Sequence, residues 1–301
     1  MATETSPTLD EVDAQSPTRR RLELFWNRFK RSKLAVVGAS ILSIFFVLGI
    51  FGPIIAPHDP AAMDTANTLA SPSLSHPMGT DHYGRDVFSR ILTGTRIALI
   101  VAVCVPLFAM AIGVPVGLIA GYFGGWIDNT LMRVMDSLFA FPAILLALTL
   151  IAVLGTGLQN IIVAVGIVVI PQFARITRGS AISATQEEHV KAAKALGGSD
   201  LRIIALHVFP FCLSAIMVQA TITAAAAILV EASLSFLGVG IQPPEPSWGA
   251  ELQVAKGYLD HAWWFGFFPG IAIVFAVLGF NLLGDGLRDV LDPRMDPDRE
   301  Q

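Results

Sequence analysis

Residues 187–210 read EEHVKAAKALGGSDLRIIALHVFP, a charged and sharply punctuated segment set between two long apolar runs. The pattern is helix, break, helix. Val190, Ala193 and Leu196 recur at helical spacing, Gly197 and Gly198 stop the first helix, and Ser199 with Asp200 cap the next. Two short helices joined by a two-glycine turn predict a compact surface knob. Ala192, Ala193 and Ala195 leave its backbone unshielded by large side chains, so another protein can approach closely. The alternative is an amphipathic hairpin lying on a membrane.

Composition sets the class around this knob. With 53% hydrophobic and 15% charged residues and a mean hydropathy of +0.63, the 301-residue chain is too apolar for a soluble domain. Uncharged runs cover 34–57, 97–127, 137–174, 208–230 and 262–284. A spanning helix needs about 20 residues, so 137–174 is too long for one span. It breaks at Gly155, Thr156 and Gly157, followed by Gln159 and Asn160, which is turn chemistry. The expectation is an all-α, polytopic membrane protein with six transmembrane helices. The fourth, near 161–176 with Pro171 inside, is predicted to be the shortest.

The basic residues orient this arrangement. With the N-terminus inside, sixteen of the twenty lie in cytoplasmic segments, leaving Arg85, Arg90, Arg96 and Lys256 outside. Both termini and the knob, between helices 4 and 5, are therefore expected in the cytoplasm. The organisation read from the chain is a disordered cytoplasmic N-terminus (1–21), a basic juxtamembrane segment with the first span (22–57) and an extracytoplasmic loop (58–95). A core transmembrane domain (96–285), containing the loop 177–206, and a cytoplasmic tail (286–301) follow. The start lacks a signal-peptide pattern, and 34–55 reads as a retained anchor. Arg28, Lys30, Arg31 and Lys33 before it suit anionic lipid headgroups. A net charge of −4 argues against nucleic acid. Cys104 and Cys212 both lie in apolar runs, which argues against a disulfide framework.

Four separated motifs narrow the family. Ala192, Ala193, Gly197 and Pro210 stand at the spacing of the EAA loop of permease subunits in binding-protein-dependent ABC importers, the coupling element that enters a groove of the cytoplasmic ATPase. Residues 76–99, HPMGTDHYGRDVFSRILTGTRIAL, lead into the second span. Residues 234–249, LSFLGVGIQPPEPSWG, follow the fifth, and 281–294, NLLGDGLRDVLDPR, end the sixth. Together they resemble the C-type permease of dipeptide, oligopeptide and nickel importers, over about 22–297. Lys191 stands where that family has glutamate, and Phe209 replaces the leucine before Pro210. Glu187 and Glu188 are placed to pair with Lys191 along the helix.

The resemblance implies ATPase coupling through Glu188, Lys191, Ala192, Ala193, Leu196, Gly197, Gly198, Ser199 and Pro210. It implies a heterodimer with a B-type permease, two ATP-binding subunits that carry the ATP and Mg, and an extracytoplasmic substrate-binding protein. No cofactor is expected in this chain. Short peptides are the implied cargo, with nickel chelates, glutathione or another small solute as alternatives.

Other residues carry local readings. Gly113, Gly117 and Gly121 share one helix face and permit close helix packing, or a sliding surface. Gln172, Gln219, Thr221, Thr223 and Asn281 either line a pathway or make helix-to-helix hydrogen bonds. Asp81, Arg85 and Asp86 read as an ion-paired turn, and Pro243, Pro244 and Pro246 stiffen the second outer loop. Glu231 is expected at the outer interface, and Asp136 is expected to pair with Arg133. No phosphate loop, H-E-x-x-H, C-x-x-C or G-x-S-x-G string occurs. His76 and His82 with Asp81 are too weakly spaced to assign a metal. An ion-coupled secondary transporter is the rival class, but it would be expected to show midplane carboxylates or repeated broken helices.

Overall fold

The architecture follows from how far each apolar run can reach. The computed structural model describes residues 17–291. Helix α1 (Pro17–Arg31) precedes α2 (Lys33–Ile55), α3 (Val87–Phe123), α4 (Gly125–Phe139), α5 (Ala143–Leu154) and α6 (Leu158–Thr185). Helices α7 (Glu188–Ala195) and α8 (Asp200–Ile203) lead through a wide turn (Ile204–Val208) into α9 (Phe209–Phe236), then α10 (Trp248–Ala255) and α11 (Trp263–Leu291). Among the described residues no strand is formed. Helix α1 begins inside the segment read as disordered. The rest of that segment and the tail beyond 291 lie outside the described residues.

Five helices are each long and apolar enough to cross a membrane: α2, α3, α6, the continuous unit 200–236 and α11. The bent pair α4–α5 makes up to a sixth, with 86° between its halves. The fourth span is therefore not the short one. Helix α6 has 28 residues, whereas α5 has 12, or roughly 18 Å at 1.5 Å per residue, too short for a hydrocarbon core of about 30 Å. The break falls before Pro142, whose ring disfavours helical backbone at Phe141 and removes an N–H. The expected break at 155–157 is present, with Gly155 and Gly157 at φ +90° and +121°.

Helix α3 is the spine. Its 37 residues extend roughly 55 Å, well beyond the hydrocarbon core, and it packs along α6, α9 and α2. Gly113, Gly117 and Gly121 form the seam with α6. A Cβ on Gly113 would lie 2.7 Å from the Ile170 carbonyl, and one on Gly121 would lie 2.7 Å from the Ala181 methyl. Close backbone approach is what holds helices together where lipid removes the hydrophobic driving force. Outward-facing Ile44, Val47, Ile50 and Ile54 on α2 are exposed, as a lipid-facing surface requires.

Residues 56–86 and 237–262 fold together as a cap over one end of the bundle. Asp81 accepts from Arg85 Nε at 2.6 Å and from the backbone N–H groups of Tyr83 and Arg85. Asp86 caps α3 through Ser89. Buried Arg90 donates to Glu251 at 2.6 and 2.8 Å and to the Pro60 carbonyl at 2.7 Å. The indoles of Trp248 and Trp264 donate to the Ile91 and Thr80 carbonyls. The Asp81–Arg85 turn is thus one part of a cap that ties the segment 56–86 to the segment 237–262.

Glu231 lies within this structure instead of at an open interface. It is 2% exposed and accepts from Ser235 at 2.8 Å. Its depth along α9 was legible, but the loop folded over it was not.

Candidate functional site

At the end of the bundle opposite the cap, the knob is built as its punctuation demands. Helix α7 ends at Ala195 with Leu196 as its C-cap, and Gly197 takes φ +77° with open space around it. Gly198 N–H returns to the Ala193 carbonyl at 3.1 Å, a Schellman-like closure that satisfies the terminal carbonyls. Ser199 is the N-cap of α8 by backbone position, without a side-chain cap bond. Val190, Ile203 and Val208 are buried beneath the knob and anchor it to the bundle. Tyr122, at the end of α3, donates to Asp200 at 2.7 Å, and Lys194 lies over the Tyr122 ring.

The knob presents exposed leucines among charged side chains. Leu196 is 88% exposed and Leu201 80%, with Leu206, Ala192 and Lys191 also exposed. Glu188, Ser199 and Pro210 are exposed as well, while Ala193 and Gly198 are half-buried. Among the described residues Lys191 forms no ion pair, so the expected pairing with Glu187 or Glu188 is not made. On an exposed helix two long charged side chains gain little from meeting. Leu201, Leu206, Tyr122 and Asp200 are functional candidates that the sequence reading missed. Sequence alone does not separate those leucines from the neighbouring Ile203 and Val208, which are buried.

In the bundle, Gln219 donates to Gln172 and to Thr223, both at 3.1 Å, joining α6 and α9. Thr221 instead donates to the Val218 carbonyl and packs against Gly284. Asn281 is exposed on α11, outside this group. Three of the five polar span residues therefore form one hydrogen-bonded cluster.

A second polar feature surrounds α4. Arg178 of α6 donates to both Asp128 oxygens at 2.5 and 2.6 Å. Asp136 accepts from Arg175 at 2.7 Å, not from Arg133 on its own helix. The arginine from α6 wins because the facing helix presents its guanidinium directly to the carboxylate. These residues line an open cleft of about 620 Å³.

The bundle, with a protruding knob at one end and a tied cap at the other, is built from helices long and apolar enough to cross a membrane. Residues 113–297 match the family described as binding-protein-dependent transport system inner membrane component, and 21–72 match the N-terminal transmembrane domain of oligopeptide transport permease C. The chain is 44% identical over 289 residues to the dipeptide transport system permease protein of Alkalihalophilus pseudofirmus, covering 96% of this chain and 94% of that one. It is 41% identical over 292 residues to the glutathione transport system permease protein of Pectobacterium atrosepticum, covering 97% and 96%. Its fold is similar to a chain of the MetNI methionine ABC transporter in an inward-facing conformation, with TM-score 0.56 and 20% identity over 67% of this chain and 97% of that one. This protein belongs to the binding-protein-dependent inner membrane component family. It is a multi-pass inner-membrane permease of the ABC importer type, a transporter component and not an enzyme.

Proposed function

We propose that this chain forms half of the translocation pathway of an importer for short peptides, with a B-type permease forming the other half. Two ATP-binding subunits, holding ATP and Mg, dock on the knob from the cytoplasm. A substrate-binding protein delivers cargo to the cap on the opposite face. Both termini are cytoplasmic in this reading.

The observation that carries the reading is the knob. Exposed Leu196 and Leu201 flank the turn at 197–200, and that turn is bonded through Asp200 to Tyr122 at the end of the central helix. An apolar patch at the membrane's edge with a direct bond to α3 is suited to receive a push and pass it on. ATPase closure biases the permease pair toward the outward-facing state, and hydrolysis releases that bias. The Gln172–Gln219–Thr223 cluster offers uncharged hydrogen-bonding groups on the α6–α9 seam, a surface that does not select one side-chain charge.

The peptide assignment rests on the dipeptide relative and the oligopeptide-permease match. The glutathione relative keeps a tripeptide-like cargo as the second reading. Reconstitution of the complete complex, followed by measurement of ATP hydrolysis with each cargo and its binding protein, separates these. Stimulation by di- to oligopeptides is expected. Stimulation by glutathione or a nickel chelate alone would overturn the peptide assignment.

A further inference from the structure

We propose that His58, His76 and Asp86 form a binding site for a divalent transition cation of zinc's class on the cap. The three side chains come from separate segments: the exit of the first span, the tip of the outer loop and the N-cap of α3. Their ligand atoms lie within 4.8 Å of one another. His76 Nδ1 is 2.9 Å from Asp86 Oδ1, and His58 Nδ1 is 3.7 Å from Asp86 Oδ2. Two ligands each about 2.05 Å from a tetrahedral zinc stand roughly 3.3 Å apart. The two histidine–carboxylate separations bracket that value, each to a different Asp86 oxygen, and side-chain rotations that draw the three ligand atoms in from within 4.8 Å of one another would close the site.

Hydrogen bonding alone does not account for the second imidazole. Asp86 Oδ2 already accepts from the Ser89 N–H at 2.8 Å and from its hydroxyl at 2.6 Å, and Oδ1 is served by His76. At 3.7 Å the His58 ring is beyond hydrogen-bond range, yet it stacks on His76 with centroids 4.6 Å apart and turns Nδ1 to the same carboxylate. Both backbones are held independently. His58 N–H donates to Ser89 Oγ at 3.2 Å, and His76 N–H donates to Ser73 Oγ at 3.1 Å. The site is thus preorganised by groups that are not ligands.

Two imidazoles and a carboxylate suit zinc and its neighbours, and disfavour magnesium and calcium, which take oxygen ligands. Asp86 is 1% exposed and His76 16%, while His58 is 40% exposed. A cation would therefore be held from beneath and reached by water or a further ligand from the His58 side. Bound there, it would staple the outer loop onto the start of α3. Its role would be to hold the cap, independently of which solute the complex carries.

The test uses the full-length permease without a histidine tag, titrated with zinc against a chromophoric chelator, with thermal unfolding followed in parallel. One zinc per chain and a raised melting temperature are expected, with no response to magnesium. His58→Ala should weaken binding by at least about tenfold and remove the thermal shift. Its unfolding without metal should shift only by the loss of the ring's stack on His76, and that shift should not respond to zinc. His76→Gln is the second variant, expected to lose zinc while its amide still reaches Asp86. The proposal is overturned by the absence of stoichiometric zinc binding, by equal affinity in wild type and His58→Ala, or by an equal response to magnesium.

Discussion

Gly197 separates conformation from contact. Its φ of +77° disfavours a side chain although nothing lies within 4 Å of the position, so a substitution there strains the turn without creating a clash. A β-branched residue in left-handed backbone costs roughly 1–2 kcal/mol, enough to reduce the population of the correct turn about 5- to 30-fold. Gly197→Val is predicted to lose most uptake at normal insertion, while Gly197→Asn, which tolerates this backbone, retains most of it. Equal uptake by both variants would show that the turn is not what the knob needs. His82 supplies a pH prediction in the cap. Its ring lies against Tyr83, Tyr258 and Phe265, and its Nδ1 is buried without a partner. Desolvation holds its pKa below 6.5, with Arg85 and Arg90 acting in the same direction and Asp81 and Glu251 opposing. A depressed folded-state pKa means that His82 contributes stability above about pH 6.5, lost as pH falls through its folded value. His82→Phe should flatten the acid limb of thermal stability, and an unchanged acid limb would refute this. At this scale the glycine was legible because glycine is the residue that most readily takes a left-handed stop. The Asp136–Arg175 pair was not, because its partners are 39 residues apart and meet only through the packing of α4 on α6.

Among the elements, the α3–α6 seam and the α4–α5 break show what periodicity can and cannot reveal. Glycines four apart mark one face whatever the partner, and the face proved to be the contact with α6. A Cβ on Gly117 would overlap the Ala174 carbonyl and approach the Thr177 side chain to 2.7 Å. Gly117→Leu should therefore destabilise the permease by at least 1–3 kcal/mol, the usual range for overpacking. Gly179→Leu, on the same α6 but with nothing within 4 Å, is the matched control. Thermal unfolding of the two in one detergent checks this, and equal melting temperatures would remove the seam. The break before Pro142 was hidden because 137–154 is almost wholly apolar, so hydropathy cannot tell one straight span from two bent halves. The apolar face of α8 and its following turn was ambiguous for the same reason. Ile203 and Val208 turn inward while Leu201 and Leu206 turn out, and only the folded chain separates them.

Across the whole molecule, the family and the number of apolar segments were legible, whereas the long-range ties were not. Arg90 and Glu251 are 161 residues apart, and no local pattern joins them. Both are at most 4% exposed, so Glu251→Ala leaves the buried guanidinium only the Pro60 carbonyl and a 3.9 Å contact with Asp81, and should cost about 1.5–3 kcal/mol of cap stability. Accelerated hydrogen exchange at 56–86 would register the loss, and unchanged protection would contradict it. Topology is tested by single cysteines at Ser75 and Ser199 in a background lacking Cys104 and Cys212. An impermeant thiol reagent should label the first from outside and the second only from the cytoplasmic face, whereas outside labelling of both would break the orientation. The central claim is that the knob couples this permease to separate ATPases. Leu196 and Leu201 are so exposed that replacing both with Asp should alter folding by only about 0.5 kcal/mol each, while replacing the two most exposed apolar side chains of the knob with charges. The most direct measurement is ATP-dependent peptide uptake by proteoliposomes containing the complete complex with Leu196→Asp and Leu201→Asp. The account predicts at least a roughly tenfold loss at unchanged insertion and permease stability, and wild-type uptake by that variant would contradict it.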